Sequence, residues 1–318
     1  MSINLNLTGE YIFYENGKEI RRSKNLLTKF GKRYITQFLA GQYASNSKDI
    51  AIGIGNASAT ENDTQLEFEF YRSQINLASI DINTSSLTGI STYGVVYKTT
   101  IPVEVSGRIK EIGLFPNTTL GSTDYASNSI STFENNQSWK DSNGDYPTLI
   151  TSPSPLVGNY YLPMSANSSL SKSYFYDFNI NLSGYSSNDS LTMAFYQSDT
   201  NLDYVFVRAY SSATDYYEIR YIGDSYFGNK IKNLTLNNLY SSGYGSGSPD
   251  PKLINKIEVG VKAKSSGNTN VLFDGLRIND EDAFRSDYGL ISRSVISDPI
   301  VKSIGSQMDI EYRLGLSF

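Results

Sequence analysis

Apolar and polar residues alternate with a period of two along most of the chain, and Gly, Asn, Ser or Pro punctuates the alternation. The opening stretch INLNLTGEYIFYENGKEIRRS alternates on both sides of Glu15-Asn16-Gly17, and Asn-Gly is a strong two-residue turn, so a β-hairpin is predicted. The period then changes. In KNLLTKFGKRYITQFLAG, Leu27, Phe30, Tyr34 and Phe38 recur at helical spacing, and Leu26, Ile35 and Leu39 widen the apolar face. This predicts one helix of about 15 residues. Ser23 or Asn25 would cap its start, and Gly41 stands where a left-handed residue ends a helix. From Asp49 the strand pattern returns in IAIGIGN, EFEFYRSQINLASIDI, STYGVVYKTTIPVEV and RIKEIGLFP. A helix on a small antiparallel sheet is the arrangement these elements predict.

After Pro116 the pattern lapses into the polar, aperiodic NTTLGSTDYASNSISTFENNQSW, which reads as a domain entrance. Between about Ile130 and Ile278, short strands separated by polar turns follow, among them SYFYDFNINL, SLTMAFYQ, YVFVRAY, YYEIRYI, KIKNLTLNNL, KIEVGVKA and NVLFDGLRI. Their spacing predicts an antiparallel sandwich of jelly-roll type. The closing MDIEYRLGLSF alternates as a final strand.

Composition narrows the chemistry. The 318 residues include no Cys and no His, which excludes disulfides, thiolate metal sites, cysteine nucleophiles and Ser/His/Asp triads; hydrolysis would need carboxylates. With a net charge of −5 and no basic run interleaved with aromatics, the chain offers no nucleic-acid surface. Nowhere do about 18 apolar residues run together, and the N-terminus lacks a basic segment followed by an apolar one. The expectation is a soluble chain made in the cytoplasm, without membrane insertion.

The 25 Tyr suit surfaces that meet glycans or other proteins, because a tyrosine offers flat apolar area and a hydroxyl. Tyr216-Tyr217 and the turn SSGYGSGSPD can stack on sugar rings or fill a core. Trp139, the single Trp, reads as a core anchor ahead of a sugar platform. Ile52-Gly53-Ile54-Gly55 lacks the Lys-Ser/Thr of a phosphate loop and reads as closely packed strand. The carboxylate pairs Glu67/Glu69 and Glu281/Asp282 read as solvated, so no catalytic residue is assigned.

Two resemblances add to this. Leu39-Ala40-Gly41, Ile52-Gly53-Ile54-Gly55, Asn62-Asp63-Thr64-Gln65-Leu66 and Glu111-Ile112-Gly113-Leu114-Phe115 resemble, in that order, a recurring domain of phage tail and baseplate-associated proteins. PIVKSIGSQMDIEYRLGLSF looks like the strand that completes its sheet. The middle is then an insertion. It resembles calcium-containing β-sandwich carbohydrate-binding modules through Phe133-Glu134, Trp139 and Phe273-Asp274. That likeness implies a structural Ca2+ held by Glu134 and Asp274, with Gly275 standing where a second Asp often follows.

The resulting expectation is a mainly β protein. A discontinuous α+β assembly domain, residues 1–125 and 283–318, carries an inserted jelly-roll sandwich, residues 126–282. The implied function is that of a non-enzymatic virion component of the tail, baseplate or fibre. It would be assembled in the host cytoplasm with other virion proteins, as a homo-oligomer present in several copies, and would present the sandwich to a host-surface glycan. The rivals are a depolymerase using paired carboxylates and a purely structural adaptor.

Overall fold

The computed structural model describes residues 6–42, 48–84, 91–116, 129–279 and 289–317. The chain divides into two compact units, Met1–Tyr125 with Ala283–Phe318, and Ala126–Asp282. Both are built from antiparallel sheets. No described helix is long and apolar enough to cross a membrane.

In the first unit β1 (Asn6–Glu15) and β2 (Lys18–Lys24) form the expected hairpin, with Asn16 and Gly17 both at positive φ as the tight turn requires. Leu26 and Leu27 are not the first helical turn. They form a short strand, β3 (Leu26–Leu27), paired with Arg293 and Ser292, and Thr28 is the cap, its Oγ1 accepting the Gly31 N–H at 2.9 Å. Strand pairing thus takes the residues that periodicity assigned to the helix, and α1 spans Lys29–Leu39. Gly41 ends it as expected, at φ 73° with the Gln42 N–H returning to the Gln37 carbonyl.

The antiparallel sheet expected beside this helix is doubled. One sheet runs β2-β1-β20-β7-β6, using β6 (Leu77–Thr84), β7 (Ser91–Ile101) and β20 (Met308–Ser317). The other runs β3-β19-β8-β4-β5, using β4 (Lys48–Gly53), β5 (Glu69–Gln74), β8 (Gly107–Pro116) and β19 (Ser292–Lys302). The run EFEFYRSQINLASIDI, read as one strand, breaks after Gln74 and supplies a strand to each sheet. Tyr11, Phe13, Ile310 and Tyr312 from the first sheet and Ile50, Ile52, Ile112 and Leu114 from the second share one core with Tyr34 of α1. The closing strand β20 lies between β1 and β7, inside its sheet. The second unit departs from the chain between β8 and β19, which are paired neighbours (Leu114↔Ser292), so the insertion occupies a connection whose ends already meet.

The second unit is a jelly roll. One sheet runs β11-β18-β13-β16, from β11 (Leu162–Ala166), β13 (Ser190–Gln197), β16 (Gly228–Thr235) and β18 (Thr269–Asn279). The other runs β12-β17-β14-β15, from β12 (Ser171–Ile180), β14 (Leu202–Tyr210), β15 (Tyr216–Ile222) and β17 (Ile254–Ala263). Counting the eight from β11, the orders are 1-8-3-6 and 2-7-4-5, two interlocked Greek keys. β9 (Ser129–Ser131) adds to the first sheet beside β18, and β10 (Trp139–Lys140) to the second beside β12.

The core of this unit gathers Trp139, Phe133, Phe195, Phe273, Met193, Val205, Val207, Val259 and Val261. Trp139 is the anchor expected of it, wholly buried, with Phe133 at 5.0 Å and Tyr176 at 5.2 Å between ring centres. KIKNLTLNNL is not one strand. Thr235 and Asn238 close a reciprocal capping box, which starts α2 (Leu236–Ser241) where strand was predicted.

Candidate functional site

The β10-β12-β17-β14-β15 sheet has one face in the core and one turned away from it, and strand alternation decides what the second presents. Val205, Val207 and Ala209 of β14 go inward, so Tyr204, Phe206, Arg208 and Tyr210 go outward. In β15, Tyr217, Ile219 and Tyr221 go inward, leaving Tyr216, Glu218, Arg220 and Ile222 outward. Antiparallel register then arranges the outward residues in rows across β12, β17, β14 and β15. These are Ser173-Gly260-Phe206-Arg220, then Phe175-Glu258-Arg208-Glu218, then Asp177-Lys256-Tyr210-Tyr216.

The middle row is an ionic ladder. The Arg208 Nε donates to Glu218 at 2.5 Å and its Nη1 to Glu258 at 3.1 Å, while Arg220 Nε reaches the other Glu218 oxygen at 2.6 Å. Tyr210 donates its hydroxyl to Glu258 at 2.5 Å. Both carboxylates are buried, at 1% and 2% exposure, and so are the rings of Phe206 and Tyr210; what reaches the surface is the Arg208 guanidinium with the half-buried rings of Phe175, Tyr204 and Tyr216. Burial opposes the charge on Arg208, but Glu218 and Glu258 outweigh it and hold the group protonated more firmly than free arginine. Burial and the bond to Glu258 push the Tyr210 hydroxyl up, so it stays a neutral donor.

Aromatic rings fix the cations in place. Arg208 lies over Phe206 (4.5 Å) and Tyr216 (4.9 Å), and Lys256 over Tyr210 (4.1 Å) and Phe175 (5.1 Å). Arg220 is held between Tyr204 (4.4 Å) and Tyr244 (3.8 Å). Phe206 lies flat because its row neighbour is Gly260, where a Cβ would stand 2.1 Å from the ring. The Tyr-rich turn forms the border of this face beside β15, through the Tyr216↔Ser246 bridge. Of the Tyr216-Tyr217 pair, alternation sends Tyr216 to the face and Tyr217 to the core, its hydroxyl on the Pro249 carbonyl at 2.7 Å.

Glu134 and Asp274, the residues assigned to a metal, meet at one turn. Asp274 is the extra residue of a β-bulge, because β13 pairs Ala194 with Gly275 and Phe195 with Phe273. Its carboxylate accepts the N–H groups of Leu156 (2.7 Å) and Val157 (3.2 Å). Glu134 accepts those of Asn159 and Tyr160, each at 3.0 Å. Gly158 lies between them at φ 66°, and a Cβ there would strike the Glu134 carboxylate. Both acids therefore anchor a turn through amide hydrogens, which present positive partial charge where a cation would need oxygens. Among the described residues no group of three or more Asp, Glu, His or Cys side chains could hold a metal ion. This donor set does not fit Ca2+, which takes 6–8 oxygens.

In the first unit Gly55, Asp63 and Glu111, from three of the short motifs quoted from the sequence, converge on a different feature. Glu111, wholly buried, accepts the N–H groups of Gly55 (2.9 Å), Glu67 (3.0 Å) and Phe68 (2.8 Å). Arg293 donates to it from Nε and Nη2, and from Nη1 to Asp63 at 2.8 Å. Of Ile52-Gly53-Ile54-Gly55, read whole as closely packed strand, Ile52-Gly53 ends β4 and Ile54-Gly55 lie beyond it; the close packing holds, since a Cβ at Gly53 or Gly55 would lie within 2.5 Å of the Glu111 carboxyl. Glu69, read as solvated, is instead buried and doubly bonded to Arg72, whose guanidinium covers Phe115 at 3.8 Å. Glu67 accepts the N–H groups of Asn56 and Ala57. Glu281 and Asp282 lie outside the described residues.

Of the outward face, the sequence pattern points only to Tyr216 and the Tyr-rich turn. The signal was present as Arg and Glu at alternate positions of YVFVRAY, YYEIRYI and KIEVGVKA, where a solvated strand face needs no aromatic partner for them.

No family model matches the sequence, and no curated protein matches it. Among solved structures, an exo-β-agarase is similar at a TM-score of 0.34 and 15% identity over 48% of this chain, which spans 25% of the agarase. The family 11 carbohydrate-binding module of Clostridium thermocellum, solved with a β-1,3-1,4-mixed-linked tetrasaccharide, is similar at 0.34 and 14% over 48% of this chain and 94% of the module. The enzymatically active domain of bacteriophage CBA120 tailspike protein 4 is similar at 0.29 and 13% over 52% of this chain and 21% of its own.

Proposed function

We propose that the chain is a non-enzymatic component of a phage particle, in the tail, baseplate or fibre region, whose second unit binds a host-surface glycan on the outward face of the β10-β12-β17-β14-β15 sheet. The observation that carries the glycan reading is that face. Rings lie side by side with fixed hydrogen-bond donors, the combination that stacks on sugar and orients hydroxyls. The assembly reading rests on the tail-like sequence motifs of the first unit, three of which contribute Gly55, Asp63 and Glu111 to one cluster closed by Arg293. Several copies per particle would compensate for weak single sites by raising effective concentration.

Binding is favoured over cleavage because Glu218 and Glu258 are buried and bonded to arginines, whereas a glycosidase needs two carboxyls free to flank the scissile bond. The test is affinity electrophoresis of the full chain through gels containing bacterial surface polysaccharides, with the products assayed for new reducing ends. Retardation without reducing ends, lost in Arg208→Ala, is expected. Reducing ends would make the chain a depolymerase, and no retardation by any polysaccharide would leave a structural adaptor.

A further inference from the structure

We infer that, given a glycan on this face, the face selects a carboxylate-bearing polysaccharide, with Arg220 as the group that receives the carboxylate. This rests on the glycan reading above and adds the class of sugar.

The inference comes from what Arg220 has left to give. Its Nε is committed to Glu218, and its Cζ lies over the rings of Tyr204 and Tyr244, 4.4 and 3.8 Å from their centres. Its Nη1 and Nη2 make no hydrogen bond among the described residues, and the side chain is 26% exposed. A guanidinium bonded at Nε and packed against two rings presents its remaining two nitrogens as a fork, the geometry that receives a carboxylate on two parallel hydrogen bonds. Lys256 supplies a second cation, ring-supported and without an ion pair among the described residues. Its row is four residues along the strands from that of Arg220, on the order of 13 Å. That span exceeds one sugar ring, which suits a polymer with repeated charges. The carboxylates that would repel such a ligand, Glu218 and Glu258, are buried under the arginines. Only Asp177, across from Lys256, is an exposed acid in these rows.

The experiment compares alginate and polygalacturonate with the same polymers after carboxyl reduction, and with neutral glucans, each titrated into the full chain. Expected is binding to an acidic polymer that falls by about 10- to 100-fold on carboxyl reduction and by a similar factor in Arg220→Gln. It should also weaken as salt is raised. Tyr244→Ala, which removes an exposed ring and leaves the ionic ladder intact, should reproduce part of the loss and guards against a folding defect in Arg220→Gln. Equal affinity for acidic and reduced polymers, or binding of neutral glucans alone, would overturn the carboxylate inference and leave the glycan reading standing. Binding to none of the acidic polymers would overturn the carboxylate inference, and the glycan reading falls with it only if the bacterial surface polysaccharides also fail to retard the chain.

Discussion

Each unit contains an arginine bonded to two acidic side chains across neighbouring segments, and the two arrangements differ in where the cation ends. In the first unit Arg293 is 4% exposed and spends Nε, Nη1 and Nη2 on Glu111 and Asp63. In the second, Glu218 and Glu258 are as buried as Glu111, but Arg208 and Arg220 stay 27% and 26% exposed and keep donors in hand. The first arrangement is closed, and its work is to hold the 55–68 segment and β19 together. The second is closed beneath and open above. Identical residue types thus stabilise a fold in one place and offer a surface in the other, and the number of unspent guanidinium nitrogens separates the two.

The comparison breaks most sharply at Glu111. Glu111→Ala leaves Arg293 buried beside Asp63 alone and strips three amides of their acceptor, so a loss of about 3–5 kcal/mol is expected for the first unit. Each unit has its own hydrophobic core, so urea unfolding followed by hydrogen exchange can assign the loss to one of them. Polysaccharide binding should be unchanged. A cost below about 1 kcal/mol would mean that the cluster is not the lock described.

Arg208→Ala should cost less in stability, about 1.5–3 kcal/mol, because Arg220 and Tyr210 still partner the two carboxylates. Unlike the Glu111 change, it should abolish retardation by polysaccharide. If stability and binding fell in the opposite pattern, with Glu111→Ala losing binding and Arg208→Ala keeping it, the assignment of lock and surface would be reversed.

The strand-rich class of the fold and the position of the helix were legible because alternation and capping are local. Asn16-Gly17 and Gly41 need only their neighbours to be understood. What was not legible depends on partners distant in sequence. Leu26-Leu27 became strand through pairing with Arg293 and Ser292. Alternation makes Glu69 a solvated residue, because the closing of Arg72 over it cannot be seen from alternation. The outward face was hidden for the same reason. Alternation says that Arg208, Glu218 and Glu258 share a side, but only the register sets them in one row.

A smaller effect separates the two arrangements by pH. Burial alone would raise the Asp63 carboxyl, but hydrogen bonds from Thr60 and Arg293 outweigh it and hold the group below its ordinary value. A depressed carboxyl contributes stability that is fully present above its unfolded pKa, about 3.9, and is lost as the pH falls through the lower folded value. Asp63→Asn should therefore cost about 1–2 kcal/mol at pH 6, and the gap to the unaltered protein should close as the pH drops below about 4. Urea midpoints of the first unit between pH 6 and 2.5 measure this. A gap that stayed constant would show that the bond to Arg293 is worth the same with a neutral acceptor.

The smallest expected effect is at the Glu134/Asp274 turn, where the expected shift is zero. If amide hydrogens satisfy both carboxylates, EDTA should leave the melting temperature of the second unit unchanged and millimolar Ca2+ should not raise it. Burial holds the Glu134 carboxyl above its ordinary value even with the Asn159 and Tyr160 amides on it, whereas a bound cation would pull it down. A ligand at 100 times its dissociation constant adds about 2.7 kcal/mol to the folded state, so a filled calcium site could not escape a melting experiment. A rise of several degrees with Ca2+, abolished in Glu134→Gln, would show that the turn rearranges to offer its carbonyls. The two acids would then hold an ion as the sequence resemblance implies, and this pair would join Arg208 as an open arrangement instead of Glu111 as a closed one.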